Sequence, residues 1–309
     1  MKNIVMLVIS LLVGMAGSVL RKIFTKKNDK GAAGGFLFNA VCSLLAAVIL
    51  FCFGGIGSFS VYTLLLGALF GVLTAVQGIA ALLAFESGPL SYSSVIISFS
   101  MIIPSLSGAI LYGESIAWAH CIGIGLMLVS FVLAVEKKRD EKKANFRWLL
   151  FCMIAFLATG GIGVMQKIHQ SSEHKQELDL FLVVALSVSA LLCGVVALIL
   201  WKRRRSTEKP QEEMNEEEKP AQTQGKKKVL LLLLLMALSG IGVAVNNKFN
   251  LYLSGVMNSA VYFPVVNGGG LVLTTVSAFI IFRERFSVKQ WIGIALGIVA
   301  VVFLCNPLS

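Results

Sequence analysis

The sequence predicts an all-α integral membrane protein with ten transmembrane helices, arranged as two inverted repeats of five helices. Three observations predict this fold class. The chain is 57% hydrophobic and only 14% charged, its apolar runs have membrane-spanning length, and one half of the sequence repeats in the other. Soluble domains carry about 25% charged residues, so the composition indicates that a lipid bilayer is the solvent.

Ten apolar runs reach the length of about 20 residues that a helix needs to cross the hydrocarbon core. They are continuous rather than alternating, which favours helices over the strands of a barrel. The first run is interpreted as a span and not as a secretory signal, because it has a counterpart inside the chain. The predicted spans are 3–23, 32–53, 61–85, 90–112, 116–135, 147–168, 179–201, 229–252, 259–282 and 288–306.

The basic residues are concentrated on one side of the predicted membrane. Of the 27 Lys and Arg residues, 23 lie in or beside the breaks that follow spans 1, 3, 5, 7 and 9. Because loops rich in Lys and Arg stay in the cytoplasm, both termini are predicted to face outward. The net charge of +11 is explained by this distribution, and we expect no nucleic-acid partner. The longest break, 202–228, contains two prolines and no aromatic residue and is predicted to be a disordered cytoplasmic linker.

An internal repeat divides the chain. Over 88–133, a shift of 170 residues gives 11 identities in 46 positions, including a Glu followed eight positions later by Ile-Gly-Ile in both copies. Upstream, a shift of 169 aligns 67–78 with 236–247, and a shift of 145 aligns 18–23 with 163–168. The shift increases from 145 to 169 because the second copy contains the inserted linker 202–228. Each repeat, 1–145 and 146–309, holds five spans, and an odd number forces the second copy to enter the membrane upside down.

The two segments that carry the clearest part of the repeat, 112–135 and 282–304, resemble the drug/metabolite transporter superfamily, specifically its EamA-like ten-helix members. The resemblance implies a transporter whose central cavity is lined chiefly by the first, third and fourth helices of each repeat. It also implies amino acids, related metabolites or drugs as substrates. Many ten-helix members have cytoplasmic termini, whereas the charge distribution of this chain predicts the opposite.

Polar side chains inside spans 3 and 8 are the first candidate site residues. Gln77 aligns with Asn246 under the repeat, and Asn247 and Lys248 follow directly. Unpaired amides are costly in hydrocarbon, so they face either a cavity or another helix, and substrate contact and helix contact both remain open. Lys248 either extends to the lipid headgroups or lines an outer vestibule, where it would favour an anionic substrate.

Spans 4 and 9 supply the remaining candidates. Tyr92 aligns with Tyr262, which predicts one ring near each membrane face, either as a pair of gates around one site or as part of an aromatic belt. Ser94 and Ser98 follow one face of span 4, and Asn267 lies in span 9. These small and polar residues are expected to contact substrate, although close helix packing explains most such serines.

Glu114 and Glu284 align under the repeat, and both lie at the end of a span. This position favours a helix-end cap or an ion pair over proton coupling, which requires ionisable groups in the membrane core. The cysteines are scattered singly and the three His residues lie near span ends. We therefore expect no catalytic residue, no metal site and no cofactor.

These observations predict a transporter of small polar or amphipathic organic solutes that works by alternating access in the cell membrane. Its partners are a small-molecule substrate and the lipid bilayer, and it is expected to be a monomer or homodimer. The alternatives are a flippase for a lipid-linked sugar and a membrane receptor or scaffold without transport activity. A membrane enzyme would need a cluster of nucleophile, acid and base, which the sequence does not offer.

Overall fold

A computed structural model of the chain describes residues 2–28, 31–55, 57, 59–134, 143–208, 222–282 and 287–305. Every regular element in these ranges is a helix. Eight helical units are long and apolar enough to cross a membrane, and Trp118–Ala134 and Val288–Leu304 are shorter apolar helices. The predicted all-α membrane fold with ten helices is confirmed.

The ten units are called spans 1 to 10 below. In the first half, the spans are Lys2–Lys27, Gly31–Phe53, Val61–Ser87, the composite span 4, and Trp118–Ala134; span 4 joins Leu90–Ser98, the 3-10 turn Phe99–Met101 and Ile102–Tyr112. In the second half, they are Phe146–Gln170, Leu178–Glu208, Gln222–Val256, the composite span 9, and Val288–Leu304; span 9 joins Ser259–Pro264, the π-helical turn Val265–Gly269 and Gly270–Phe282. A short 3-10 helix, Lys175–Glu177, precedes span 7.

The predicted disordered linker 202–228 is wrong at both of its ends. Span 7 continues to Glu208 and span 8 begins at Gln222. The apolar pattern ends near residue 201, but Lys, Arg and Gln are good helix formers, so a change from apolar to basic residues does not end a helix. Residues 209–221, the centre of the predicted linker, lie outside the described ranges.

Local sequence fixes several span ends. Ser60 caps span 3 by accepting a hydrogen bond from the Thr63 N–H, and Asn145 caps span 6 by accepting one from the Trp148 N–H. Such caps satisfy backbone donors that have no partner within the helix. Span 4 ends at Gly113, whose φ of 64° lies in the left-handed region that glycine adopts without strain.

Spans 4 and 9 are both irregular near their middle. In span 4 the 3-10 turn Phe99–Met101 precedes Pro104, and in span 9 the π-helical turn Val265–Gly269 follows Pro264. Proline lacks a backbone N–H and pushes against the preceding turn, so a helix relaxes locally around it. Irregular backbone at membrane depth is tolerated where it is buried or lines a cavity. Both irregular turns include residues of the central site described below.

The helix contacts follow a two-fold order. Span 3 packs against spans 6 and 7, and its repeat partner, span 8, packs against spans 1 and 2. Spans 2 and 7, spans 4 and 9, and spans 5 and 10 pack directly on each other. Exchanging spans 1–5 with spans 6–10 leaves this list unchanged, as two inverted copies require. The sequence division into 1–145 and 146–309 stays a prediction.

The two ends of the helix bundle are distinguished by which span ends they contain. One buried cluster contains Leu7, Leu253, Tyr262 and Leu304. The start of span 1, the end of span 8, the start of span 9 and the end of span 10 therefore lie together at one end of the bundle. We call this end the terminal face and the opposite end the linker face. The positive-inside rule predicts that the terminal face is the outer one.

Candidate functional site

A cavity of about 330 Å³ lies between the two halves of the molecule. Spans 1, 4 and 5 of the first half and spans 6 and 9 of the second half line it. The first and fourth spans of each repeat therefore contribute, whereas spans 3 and 8, expected from the family resemblance, supply none of the lining residues. The lining residues are Ser18, Ile97, Ser98, Ser100, Phe131, Thr159, Asn267, Gly270, Leu271 and Thr274.

The lining of the cavity mixes polar and apolar groups and is uncharged. Within the described ranges, five hydroxyl side chains and one amide line it, and none of the lining residues is charged. Three of the polar groups donate a hydrogen bond to their own helix: Ser18 Oγ to the Gly14 carbonyl at 3.1 Å, Thr159 Oγ1 to the Ala155 carbonyl at 2.7 Å and Asn267 Nδ2 to the Phe263 carbonyl at 2.9 Å. The hydroxyl donors of Ser18 and Thr159 are thus occupied, and these two groups offer oxygen acceptors to a ligand, whereas Asn267 keeps one amide N–H and its amide oxygen.

The cavity is placed asymmetrically with respect to the repeat. Gly163 of span 6 packs so closely on span 4 that an added Cβ would lie 2.7 Å from Pro104 Cβ. The repeat alignment pairs Gly163 with Ser18, and Pro104 with Thr274. Both of these partners line the cavity. Gly163 and Pro104 therefore touch each other on the terminal side, whereas the residues at the equivalent positions of the other repeat border the cavity.

Close packing continues from the cavity toward the terminal face. A Cβ added at Gly160 would collide with Ile103, and one added at Gly163 would also lie 3.1 Å from Phe263 Cε1. Real Cβ atoms essentially never lie within 3.0 Å of another heavy atom, and 3.1 Å is already a tight contact. Spans 4, 6 and 9 are thus in direct contact on the terminal side of the cavity.

An ion pair lies beyond these packed spans, at the terminal face. The Lys167 ammonium of span 6 is paired with the Glu114 carboxylate of the loop after span 4, and the Lys167 side chain is only 4% exposed. Lys167 Nζ also donates to the carbonyls of Ser254 at 3.1 Å and Met257 at 3.4 Å. The second carboxylate oxygen of Glu114 accepts the Ser259 N–H at 2.7 Å. The predicted ion-pair role of Glu114 is confirmed, and Glu284 lies outside the described residues.

Two opposing effects act on the pKa of Glu114. Partial burial raises the pKa, while the hydrogen bonds from Lys167 and Ser259 and the positive charge of Lys167 lower it. The net shift is downward, so the carboxyl is ionised at neutral pH.

Two of the predicted site residues, Ser98 and Asn267, line the cavity. Tyr262 is buried on the terminal side, where its hydroxyl donates to the Asn250 carbonyl at 2.8 Å. Tyr92 is 51% exposed and lies in the first turns of span 4 at the linker face. The two rings therefore lie toward opposite faces, and their function as gates stays a prediction.

The other predicted site residues lie outside the cavity lining. Asn246 accepts a hydrogen bond from Ser10 Oγ at 2.8 Å, and Asn247 Nδ2 donates to the Val243 carbonyl at 2.9 Å. Lys248 pairs with Asp179 at 2.7 Å near the terminal face. The Asn246 bond is the contact with another helix that the sequence left open, whereas Asn247 bonds to its own helix and the ion pair of Lys248 was not predicted. The remaining two, Gln77 and Ser94, are partly buried in spans 3 and 4, and a substrate contact of all five stays a prediction.

The sequence did not single out three residues that the structure makes prominent. Ser18 and Thr159 line the cavity, but isolated hydroxyl residues in apolar helices give no distinctive signal. Lys167 is one of the four basic residues outside the breaks that follow spans 1, 3, 5, 7 and 9, and no role for it was predicted from the sequence. Its alignment with Lys22 under the repeat was the available signal that a basic residue recurs at the same place in both copies.

The fold and the site define a class: a multi-pass membrane protein with a polar cavity between two inverted helical halves, the architecture of secondary transporters. The family model of the EamA-like transporter family matches residues 146–306, which is more than half of the 309 residues. The chain belongs to the EamA-like transporter family.

The other comparisons concern the fold. One solved crystal structure, described simply as a protein, aligns with 96% of this chain and 97% of its own length, with a TM-score of 0.65 and 13% sequence identity. At this identity the similarity shows a common fold and nothing about substrate. Altogether 28 solved chains match, whereas no curated protein sequence does.

Proposed function

We propose that the protein transports small polar or amphipathic organic solutes, such as amino acids, related metabolites or drugs, across the cell membrane by alternating access. The single observation that carries this proposal is the asymmetric position of the cavity. Gly163 and Pro104 are in contact on the terminal side, while their repeat partners Ser18 and Thr274 both line the cavity.

In an inverted-repeat transporter, the two copies adopt two different conformations and exchange them during transport. A closed contact in one copy and a cavity at the equivalent place in the other are the arrangement expected for one end state of such a cycle. The second end state would bring Ser18 and Thr274 together and separate Gly163 from Pro104. The solute would then leave toward the terminal face.

The lining favours a particular kind of solute. About 330 Å³ is at the small end of the ligand pockets found in proteins, which suits a molecule of metabolite size. Ser18 and Thr159 use their hydroxyl donors within their own helices and keep acceptor oxygens for a solute, and Asn267 keeps its amide oxygen together with one N–H. Solutes with ammonium, hydroxyl or amide N–H groups complement such acceptors, and Phe131 offers a surface for an apolar part.

The existence of this cavity argues against a receptor or scaffold without transport activity. Such a protein has no need of a polar chamber between spans of opposite repeats. Spans 1, 4, 6 and 9 would also be free to pack together along their whole length without a gap. The cavity is instead bordered by all four.

The proposal is tested by ligand-induced thermal stabilisation of the purified protein with a panel of amino acids, nucleosides, sugars and organic cations. A solute that binds only the folded state raises its melting temperature. We expect stabilisation by one class of solutes rich in hydrogen-bond donors, followed by uptake or release of that solute in vesicles. Failure of every solute class, both to stabilise the protein and to cross vesicles, would refute the transport function.

A matched pair of neighbouring threonines makes the test specific to the cavity. Thr274 lines the cavity, whereas Thr275 donates to the Leu271 carbonyl at 2.8 Å and is not a lining residue. Thr274→Val is expected to weaken binding of the stabilising solute by about tenfold, the effect of losing about 1.4 kcal/mol of binding energy. Thr275→Val should leave the affinity unchanged.

A further inference from the structure

We propose that Glu114 and Lys167 form an ionic lock that holds the terminal face closed and opens in each transport cycle. This inference rests on the alternating access proposed above and concerns its regulation. The lock is a specific closing contact, and its removal should open the terminal face.

The lock joins spans that line the cavity. Glu114 follows span 4 and is bonded to the first residue of span 9, Ser259. Lys167 belongs to span 6 and donates to carbonyls at the end of span 8. The ion pair therefore ties the ends of spans 4 and 9 to the ends of spans 6 and 8. Spans 4, 6 and 9 are also walls of the cavity.

The charged groups of the lock are fully matched to their surroundings. An ammonium has three N–H donors, and Lys167 has three acceptors: Glu114 and the carbonyls of Ser254 and Met257. These carbonyls lie at the C-terminal end of span 8, which attracts a cation, while Glu114 binds the N-terminal end of span 9, which attracts an anion. This set of bonds exists only while the four span ends are together.

The position of the lock along the path fits a gate. Lys167 lies eight residues beyond the cavity residue Thr159 in the same helix, a distance of about 12 Å at 1.5 Å per residue. Between them, Gly163 packs on Pro104 and Phe263. Separation of the span ends at the lock would therefore loosen the packed layer beneath it and connect the cavity with the terminal face.

An ion pair suits a contact that must open repeatedly. When the span ends separate, water reaches both charges and replaces the bonds that are lost, whereas a buried charge without its partner would be strongly unfavourable. The two end states then differ by little free energy, which a transport cycle requires.

The test measures directly how far the ends of spans 4 and 9 separate from the ends of spans 6 and 8, and it needs no substrate. Spin labels are attached at Ser115→Cys and Glu173→Cys, which are exposed on the loops after spans 4 and 6. The exposed cysteines Cys52, Cys121 and Cys305 are replaced by Ser. Distances between the labels are measured by pulsed electron paramagnetic resonance in reconstituted vesicles.

The principal variant is the double substitution Glu114→Gln with Lys167→Met. Removing both charges avoids leaving one charge buried without a partner. We expect a second population of label distances, longer by about 5 Å, the size of a one-turn displacement, and about tenfold more abundant than in the unmodified protein. An unchanged distance distribution in the folded double variant would overturn the lock.

The second ion pair on the same face provides a matched control. Lys248 and Asp179 are 2.7 Å apart, but they join spans 8 and 7, neither of which contributes a lining residue. Asp179→Asn with Lys248→Met should leave the distance distribution unchanged. An equal lengthening in this control would show a general loosening of the face and would also overturn the proposal.

A third variant keeps both charges and tests the same contact if the double variant does not fold. Ser259 is the first residue of span 9, where proline is tolerated because the N–H has no partner within the helix. The preceding Asn258 has φ −61° and ψ 133°, which is compatible with a following proline. Ser259→Pro removes the N–H that holds Glu114 and should also populate the longer distance. A distribution identical to that of the unmodified protein would contradict the lock.

The two proposals fail in distinguishable ways. Longer distances without transport of any solute would leave the lock intact and refute the transport function. Transport with unchanged distances in the double variant and in Ser259→Pro would refute the lock and leave the transport function standing.

Discussion

Polar residues in this membrane protein are stabilised by different means according to where they lie. Thr159 donates its single O–H to its own helix, and Asn267 donates one of its two amide N–H groups to its own helix. Lys167, which is 3% exposed as a residue, is matched by a carboxylate and two carbonyls. Since an unpaired polar group in hydrocarbon costs several kcal/mol (roughly 2–7), each group needs such a local arrangement to be tolerated.

The Glu114 carboxyl gives the lock a defined dependence on pH. Its pKa is lowered in the folded protein, so the ion pair contributes stability above the ordinary carboxyl pKa of about 4.3 and loses it as the pH falls through the lowered value. The titratable groups that face it are Lys167 of span 6 and Tyr112 of span 4.

We therefore expect the distance between labels at Ser115→Cys and Glu173→Cys to be constant from pH 8 to about pH 5 and to lengthen below about pH 4. Pulsed resonance measurements across this range provide the check. Adding Glu114→Gln should abolish the pH dependence. Lengthening that begins near pH 6.5, the ordinary range of His, would indicate that a different group controls the face.

At the scale of the helices, glycine positions decide where spans approach most closely. Gly163 meets Pro104 at a distance that excludes a Cβ, whereas a Cβ at Gly161 would make an ordinary contact with Leu73 Cδ1 at 3.4 Å. The two glycines lie on the same span and have the same backbone conformation. A comparison of the two glycine-to-alanine variants therefore separates the effect of packing on stability from the effect of helix propensity.

Gly161→Ala is expected to stabilise the protein by up to about 1 kcal/mol, because alanine favours the helix. Gly163→Ala should instead destabilise the closed terminal side by about 1–3 kcal/mol, the cost of overpacking. The melting temperatures of the two purified variants test this difference. If both variants melted at the same temperature, the close contact of span 6 with span 4 would not limit stability.

The ends of a helix were predicted well where they coincide with the ends of a long apolar run. They were predicted less well where one helix passes from apolar to charged residues. All ten spans occur, and most of their ends lie within two residues of the predicted ones, although spans 1 and 8 each end four residues later, at Lys27 and Val256. Spans 7 and 8 continue to Glu208 and from Gln222, since basic residues form helices as well as apolar ones do. The irregular turns at Phe99–Met101 and Val265–Gly269 follow from proline and from packing together.

At the scale of the whole molecule, the charge distribution predicts the orientation in the membrane. The breaks on the linker face hold most of the Lys and Arg residues, so this face should be cytoplasmic. A reporter that is active only in the cytoplasm should be silent when fused after Ser309 and active when inserted into 209–221. A strong signal from the fusion after Ser309 would reverse the orientation, and the lock would then close the cytoplasmic side.

The sequence by itself determined the all-α membrane class, the ten spans, their inverted repeat and the family resemblance, because these depend on the length, periodicity and order of residues along the chain. It also singled out Ser98, Asn267 and Glu114. Only the tertiary structure decided which polar residues meet. Ser18 and Thr159 come from different repeats and share one cavity, and Lys167 finds its partner 53 positions away. Such contacts depend on how spans pack across the two-fold arrangement, which no local pattern in an apolar helix specifies.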